Sequence, residues 1–288
     1  VSGNAFAVGT LLNLAVVVVE VVAGVYAGSV ALLSDAGHNM ADVLAVALAW
    51  AATSLAKRRP AGRHTYGLRS TTILAAVVNA STLLVVTGAI AWEAVHRLAA
   101  RTPVDGKVVA AVAALGVVIN GASALLFARS RHSDLNARAV FQHLAGDAVV
   151  AFGVAIAGLV VMATGWTRLD PIVSIVLSVV LIAQSWPILR QATNLALHAA
   201  PDSIDLPAVR AYLAALPGVA TVHDLHVWAM STTEVALTVH VAMPAPKHDH
   251  GFFARVAEDL RGRFGIHHAT LQIECPEDDC HLASDDVV

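Results

Sequence analysis

Charge is what this sequence has least of. Only 14% of its 288 residues are charged, where an ordinary soluble domain carries about 25%. With 57% hydrophobic residues and a mean hydropathy of +0.69, the composition points to a chain embedded in a lipid bilayer. There is no basic surplus either. The formal net charge of -3 removes the electrostatic reason to expect nucleic acid as a partner. Cysteine is scarce: Cys275 and Cys280, both near the end, do not make the disulfide framework of a small secreted domain. The first apolar run lacks a basic n-region and carries Glu20 in its middle. It reads as a membrane span, not a signal peptide. The chain opens on Val1, so a native start upstream is expected.

A bilayer-crossing helix needs about 20 apolar residues. Six runs qualify, near 6–27, 30–55, 71–95, 105–128, 139–164 and 168–190. Turn and charge signals separate them, such as "KRRPAGRH" and "TGWTRLDP". Basic residues concentrate in the second loop (Lys57, Arg58, Arg59, Arg63, Arg69) and the fourth (Arg129, Arg131, Arg138). The first loop has none and the fifth only Arg168, while the third, with Arg97, Arg101 and Lys107, weakens the contrast. The bias places loops two and four in the cytoplasm, and six spans then leave both termini there. Beyond Pro201 the pattern changes. Valine-rich alternating segments, "VATVHDLHVWAM", "EVALTVHVAM" and "HHATLQIEC", read as strands. Amphipathic segments, "IDLPAVRAYLAALPG" and "GFFARVAEDLRGRFG", read as helices. The order α-β-β-α-β predicts a compact α+β domain behind an α-helical membrane domain, divided at residues 200 and 201.

Ionisable residues inside such runs need a partner or a task, since one charge at mid-bilayer costs at least ~2.5–3.5 kcal/mol. They are Glu20, Asp35, His38, Asp42, His143 and Asp147. His38 and Asp42 are four apart on the second run, His143 and Asp147 four apart on the fifth. Residues at i and i+4 share a helix face, so each pair aims an imidazole and a carboxylate at one point. Two such helices face to face offer two nitrogens and two oxygens, a donor set that suits tetrahedral Zn²⁺ and also takes Co²⁺ or Cd²⁺. Small residues beside both pairs, Ala36, Gly37, Ala41, Ala145, Gly146 and Ala148, allow close helix approach. One pair alone is equally a structural ion pair; two identical pairs on separate spans favour a metal site. Asp35 is expected at the mouth of that site or as a helix cap. An intramembrane metalloenzyme is the weaker alternative, because no general base or nucleophile motif stands beside the pairs. A metal sensor without transport is another alternative.

At these residues the chain resembles the zinc-exporting branch of the cation diffusion facilitator family. The likeness is carried by "AGSVALLSDAGHNMADVLAVALAW", "RHTYGL", "HLAGDAVVAFGV", "DPIVSIVLSVVLI" and "VHDLHVWAM", and runs from about residue 6 to 275. It implies a homodimer. Residues 1–200 would form a six-helix cation-transport domain, and 201–288 a cytoplasmic metal-binding and dimerisation domain with a metallochaperone-like, ferredoxin-like fold. It implies export of Zn²⁺ from the cytoplasm in exchange for protons by alternating access, across a bacterial-type inner or plasma membrane. Carried over by motif, the transport site is His38, Asp42, His143 and Asp147. Cd²⁺, Co²⁺, Mn²⁺ or Fe²⁺ as the main cargo stays open. A second site that some members have in the loop after span two is not expected, since His64 fits it but Leu68 stands where another histidine would be.

The resemblance also places cytoplasmic zinc ligands at His223, His240, His267 and Glu274, with His226 and His268 equally near on the sequence. Cys275, Cys280 and His281 in "CPEDDCH" form a further candidate. Thiolates bind zinc well, but this spacing equally suits a reduced tail.

Overall fold

The computed structural model describes residues 3–100, 102–128, 135–244 and 250–275. Six long helices come first: α1 (Gly3–Ala27), α2 (Val30–Ala56), α3 (Thr71–Ala100), α4 (Gly106–Phe127), α5 (Leu135–Thr164) and α6 (Leu169–Ala196). They fall on the six apolar runs. Among the described residues, five are long and apolar enough to cross a membrane, and α1 adds the apolar stretch Leu14–Ala27. Many of their large exposed side chains are apolar, Val22, Val85, Val118, Leu126 and Val149 among them. That surface suits hydrocarbon, and the chain is a multi-pass membrane protein. Helices α3 and α6 outrun their apolar cores, α6 continuing through Pro187, because intrahelical hydrogen bonds persist where hydropathy has already fallen.

The helix ends are set by specific groups. Gly28, at φ 65°, makes the left-handed turn between α1 and α2, and a Cβ there would stand 2.9 Å from the Pro103 carbonyl oxygen. Asp170, at the start of α6, accepts hydrogen bonds from Ser29 Oγ and from Val30 N at 2.7 Å. A carboxylate from α6 thus satisfies the open N-terminus of α2 and complements its dipole. Arg97 on α3 donates to the Gly28 carbonyl at 2.6 Å, which fixes the same turn. Helix α4 is capped locally, Asp105 accepting from the backbone of Lys107 and Val108.

Helices α4 and α5 meet backbone against backbone. A Cβ added at Gly106 would lie 2.6 Å from Gly158 O, and one at Gly158 2.6 Å from Ala110 N. Around this crossing, Val109, Ala113, Val154 and Ala155 pack with Ala27, Ala31 and Leu32 into one buried cluster. Without a hydrophobic drive between helices in lipid, such close van der Waals approach is what holds the bundle.

The C-terminal part follows the expected α-β-β-α-β order: α7 (Leu206–Ala214), β1 (Thr221–Ala229), β2 (Val235–Ala242), α8 (His250–Phe264) and β3 (Ile266–Glu274). The sheet order is β1-β2-β3, with β1 and β2 antiparallel and β2 and β3 parallel. Helix α8 is the crossover that a parallel pair requires. Leu237, Val239 and Val241 join Val209 and Leu213 of α7 and Val256 and Leu260 of α8 in one core. Strand alternation therefore turns His240 toward the other face of the sheet.

By contacts the chain forms two compact units, Val1–Leu48 with Val78–Ile188, and Ala49–Val77 with Leu189–Val288. In the second unit, Arg69 pairs with Glu234, Thr232 N donates to Thr72 Oγ1 at 3.1 Å, and Ser70 Oγ donates to Met230 O at 3.3 Å. The segment after α2 is thereby grouped with the sheet and not with the remaining membrane helices.

The glycine crossing yields a stability prediction. Gly158→Ala should lower the thermal midpoint of the detergent-solubilised protein, by overpacking worth about 1–3 kcal/mol. Gly88→Ala, where a Cβ meets nothing within 4 Å, should leave the midpoint unchanged or raised.

Candidate metal centres

The four intramembrane residues converge. His38 Nε2 lies 3.7 Å from Asp42 Oδ2 and 3.5 Å from Asp147 Oδ1. His143 Nε2 lies 3.4 Å from Asp42 Oδ2 and 3.6 Å from Asp147 Oδ2. Each histidine therefore reaches both its own helix's carboxylate and the one across the gap between α2 and α5. The two imidazole centroids are 6.3 Å apart at 76°. His38, Asp42 and Asp147 offer ligand atoms all within 4.8 Å of one another, with His143 beside them. These separations are long for N–H···O bonds. They are close to the ~3.3 Å edge of a tetrahedron built on ~2.0–2.1 Å bonds. Among the described residues, Asp42 Oδ2 and His38 Nδ1 are buried without a hydrogen-bond partner.

The pairs run in opposite directions along their helices. His38 and Asp147 form the layer nearer the α1–α2 turn, and their side chains are 17% and 6% exposed. Asp42 and His143 form the other layer and are 27% and 47% exposed. The layer of Asp42 and His143 is therefore the more exposed of the two. Asp35 does not cap a helix, contrary to one expectation. Helix α2 begins five residues earlier, and its N-terminus is already taken by Asp170. Asp35 is instead buried beside the cavity that contains His38, His143 and Asp147. His64 is exposed in the loop after α2.

On the sheet, His223 and His240 are antiparallel partners, and Glu274 ends β3 opposite Ala242. His223 Nε2 lies 3.0 Å from Glu274 Oε2, and His240 Nδ1 3.0 Å from Glu274 Oε1. Ligand atoms of the three lie within 4.8 Å of one another. His223 Nε2 is buried and, despite that distance, lacks the alignment of a hydrogen bond. A nitrogen lone pair directed at a shared space is what a zinc ligand set requires, so these residues fit the metal.

Asp224 completes the surroundings, and sequence reading missed it. It sits at φ 48° in the register irregularity between His223 and His226. Its Oδ2 is 3.3 Å from His240 Nε2, and its Oδ1 2.7 Å from His226 Nε2. The available signal was an acid set between two histidines in "VHDLH". His267 does not join the cluster within one chain. It is exposed at the opposite end of β3, seven residues from Glu274, or about 23 Å along a strand. His268 packs against the Tyr66 ring at 5.7 Å. Cys275 is exposed directly after β3, while Cys280 and His281 lie outside the described residues.

Residues 6–195 match the family model of the cation efflux transmembrane domain, and residues 201–275 that of the cation efflux protein cytoplasmic domain. The chain is 39% identical over 270 residues to the zinc transporter ZitB of Escherichia coli (strain K12), covering 92% of this chain and 86% of that one. It is 33% identical over 258 residues to the metal cation efflux system protein CzcD of Cupriavidus metallidurans, covering 89% and 82%. With the zinc transporter ttm-1 of Caenorhabditis elegans it shares 30% over 282 residues, 91% of this chain and 69% of that one. Among solved structures, the metal-bound C-terminal domain of the CzcD transporter is 35% identical, covering 25% of this chain and 99% of that chain at a TM-score of 0.23.

Asp224 can accept the Nε2 proton of His240 and so direct the Nδ1 lone pair toward the space shared with His223 and Glu274, the carboxylate–histidine arrangement that orients ligating imidazoles. Asp224→Ala should therefore weaken zinc binding at the sheet cluster by about 10–100-fold. A competitive zinc titration of the full-length protein checks this; an unchanged affinity would leave Asp224 a purely structural residue.

Proposed function

Because the chain belongs to the cation efflux family, whose members are membrane transporters and not enzymes, we propose that it exports Zn²⁺ from the cytoplasm in exchange for protons, by alternating access through His38, Asp42, His143 and Asp147. The observation that carries this reading is the convergence of two imidazoles and two carboxylates from α2 and α5, each imidazole Nε2 within 3.7 Å of both carboxylates, inside an apolar bundle. Two aspartates balance a divalent cation, so the loaded site is neutral in hydrocarbon, where residual charge is costly.

The basic loops support a cytoplasmic position for both termini and for the ends of α2 and α5 nearest Asp42 and His143. The more exposed layer of the site then faces the cytoplasm, and the less exposed layer of His38 and Asp147 faces the opposite side. Zinc arrives from the cytoplasm, sheds water and binds neutral imidazole and ionised carboxylate, which expels protons. In the outward-facing state, protonation of His38 or His143 removes a ligand, since imidazole titrates near neutrality. The cation leaves and the protons return inward. The membrane is of the bacterial inner or plasma type.

At the sheet, His223, His240 and Glu274 would hold a resident zinc, which supplies a cross-link between the three strands. The protein acts as a homodimer through this C-terminal domain. The relative named as a metal cation efflux system protein, and a donor set that also suits Co²⁺ and Cd²⁺, support a second reading in which another divalent cation is the main cargo.

Uptake of ⁶⁵Zn into proteoliposomes under an imposed pH gradient tests the proposal, with wild type beside Asp147→Ala. Wild type should accumulate zinc only with the gradient, and Asp147→Ala should stay at the level of empty liposomes. Normal uptake by folded Asp147→Ala sinks the four-residue site. Binding without uptake by wild type points to a sensor, and uptake of Cd²⁺, Co²⁺ or Mn²⁺ in preference to zinc points to the second reading.

A further inference from the structure

Between the four-residue site and the α1–α2 turn, the helices bury acids that neither the fold nor the proposed site uses. Glu20 on α1 and Asp35 on α2 are 1% and 2% exposed. Asn39 Nδ2 donates to Glu20 Oε2 at 3.1 Å. Among the described residues, Glu20 Oε1, both oxygens of Asp35 and Ser34 Oγ have no hydrogen-bond partner. Asp35 and Asn39 are four residues apart and share one face of α2, so the bond from Asn39 sets Glu20 against that face. Asp35 also lines a cavity of about 250 Å³ together with Ser34, His38, His143 and Asp147. That is more room than one cation or one water needs.

Buried carboxylates in a membrane are kept where something compensates them. The ionisable groups acting on Glu20 are Asp35, Asp147 and His38, and those acting on Asp35 are His38 and Asp147. Among the described residues, no lysine or arginine acts on either acid. The compensation therefore comes from something mobile, a proton or a cation, and the cavity gives Asp35 a route from the site already described.

We propose that Asp35 and Glu20 form a second position for a divalent cation, made of oxygen donors only, one helical turn from the four-residue site toward the α1–α2 turn. This rests on the transport reading above and extends it: the second position takes the cation as the first one releases it. Carboxylate and hydroxyl oxygens suit a hydrated cation and hold zinc less well than a set with two imidazoles. The second position is therefore the weaker of the two, as a route out requires: each step must bind enough to receive and little enough to let go.

The test counts zinc bound per chain by equilibrium dialysis of the full-length protein over rising free Zn²⁺. The variants are the double substitution Asp35→Asn/Glu20→Gln, the charge-keeping Asp35→Glu, and Asp147→Asn. The double variant should saturate at one zinc per chain fewer than wild type, losing a weak step and keeping the tight ones. Asp35→Glu should keep the extra zinc, which separates lost charge from lost folding. Asp147→Asn should lose a tight step and keep the weak one. Equal stoichiometry in wild type and the double variant overturns the proposal and leaves the two acids protonated or structural. An unchanged tight step in Asp147→Asn instead overturns the four-residue site, while the weak step still reports on Asp35 and Glu20.

Discussion

The constraint on which this structure depends is electrostatic. Carboxylates buried in hydrocarbon must meet a compensating group, and here two of them, Asp42 and Asp147, meet two imidazoles instead of a lysine or arginine. A fixed cation would form a permanent ion pair. Neutral imidazoles leave the compensation to be supplied from outside, and an imidazole takes a proton near neutral pH. The cluster can accept either a divalent metal or protons, but the two compete for the same lone pairs. On the proposed transport reading, that competition is the exchange itself, and no separate coupling element is needed at the site.

The rest of the membrane domain keeps α2 and α5 in place for this. Helix α5 is gripped by α4 through the Gly106–Gly158 crossing, where backbones touch. Helix α2 is held at its start by Asp170 of α6 and, through Gly28, by Arg97 of α3. Both devices sit away from the side of the site carrying Asp42 and His143, which is also its more exposed side. The less exposed end is thus the end with charged hydrogen bonds to backbone groups, each worth more than a neutral one. On the proposed alternating-access reading, opening there requires exchanging those bonds.

What was legible in the sequence was local. Six apolar runs gave six helices, and the valine-rich alternation gave the three strands, because hydropathy and periodicity are properties of neighbouring residues. The intramembrane pairs were visible because i,i+4 spacing on a helix already fixes a shared face. What escaped depended on distance or irregularity. The cap on α2 comes from a residue 140 positions away. Asp35 read as a cap only while the start of α2 was unknown. Asp224 reaches His240 because the strand register slips between His223 and His226, and regular alternation would have turned it to the other face. The resemblance groups His267 with Glu274, but the two stand at opposite ends of β3, and an extended strand keeps its ends far apart. The Gly106–Gly158 contact needed the crossing of α4 and α5, which no single helix reveals.

On the proposed reading, the donor set also determines what the membrane site excludes. Mg²⁺ and Ca²⁺ favour oxygen ligands in six or more positions, and two imidazoles with two carboxylates do not supply them. Soft cations such as Cu⁺ favour thiolate or thioether, and neither sulfur type occurs among the four residues. What remains is the borderline divalent group to which zinc belongs. Within it, raw affinity follows the ordinary order of the metals and favours copper over zinc, so preference has to come from geometry. A d¹⁰ ion accepts a tetrahedron without electronic cost, whereas Cu²⁺ seeks tetragonal coordination. Each of α2 and α5 supplies one histidine and one carboxylate, so the arrangement of the four side chains depends on how the two helices are held. On the proposed reading, discrimination against the stronger-binding metal would rest on that arrangement, and so on the glycine contact and the Asp170 cap that support those two helices.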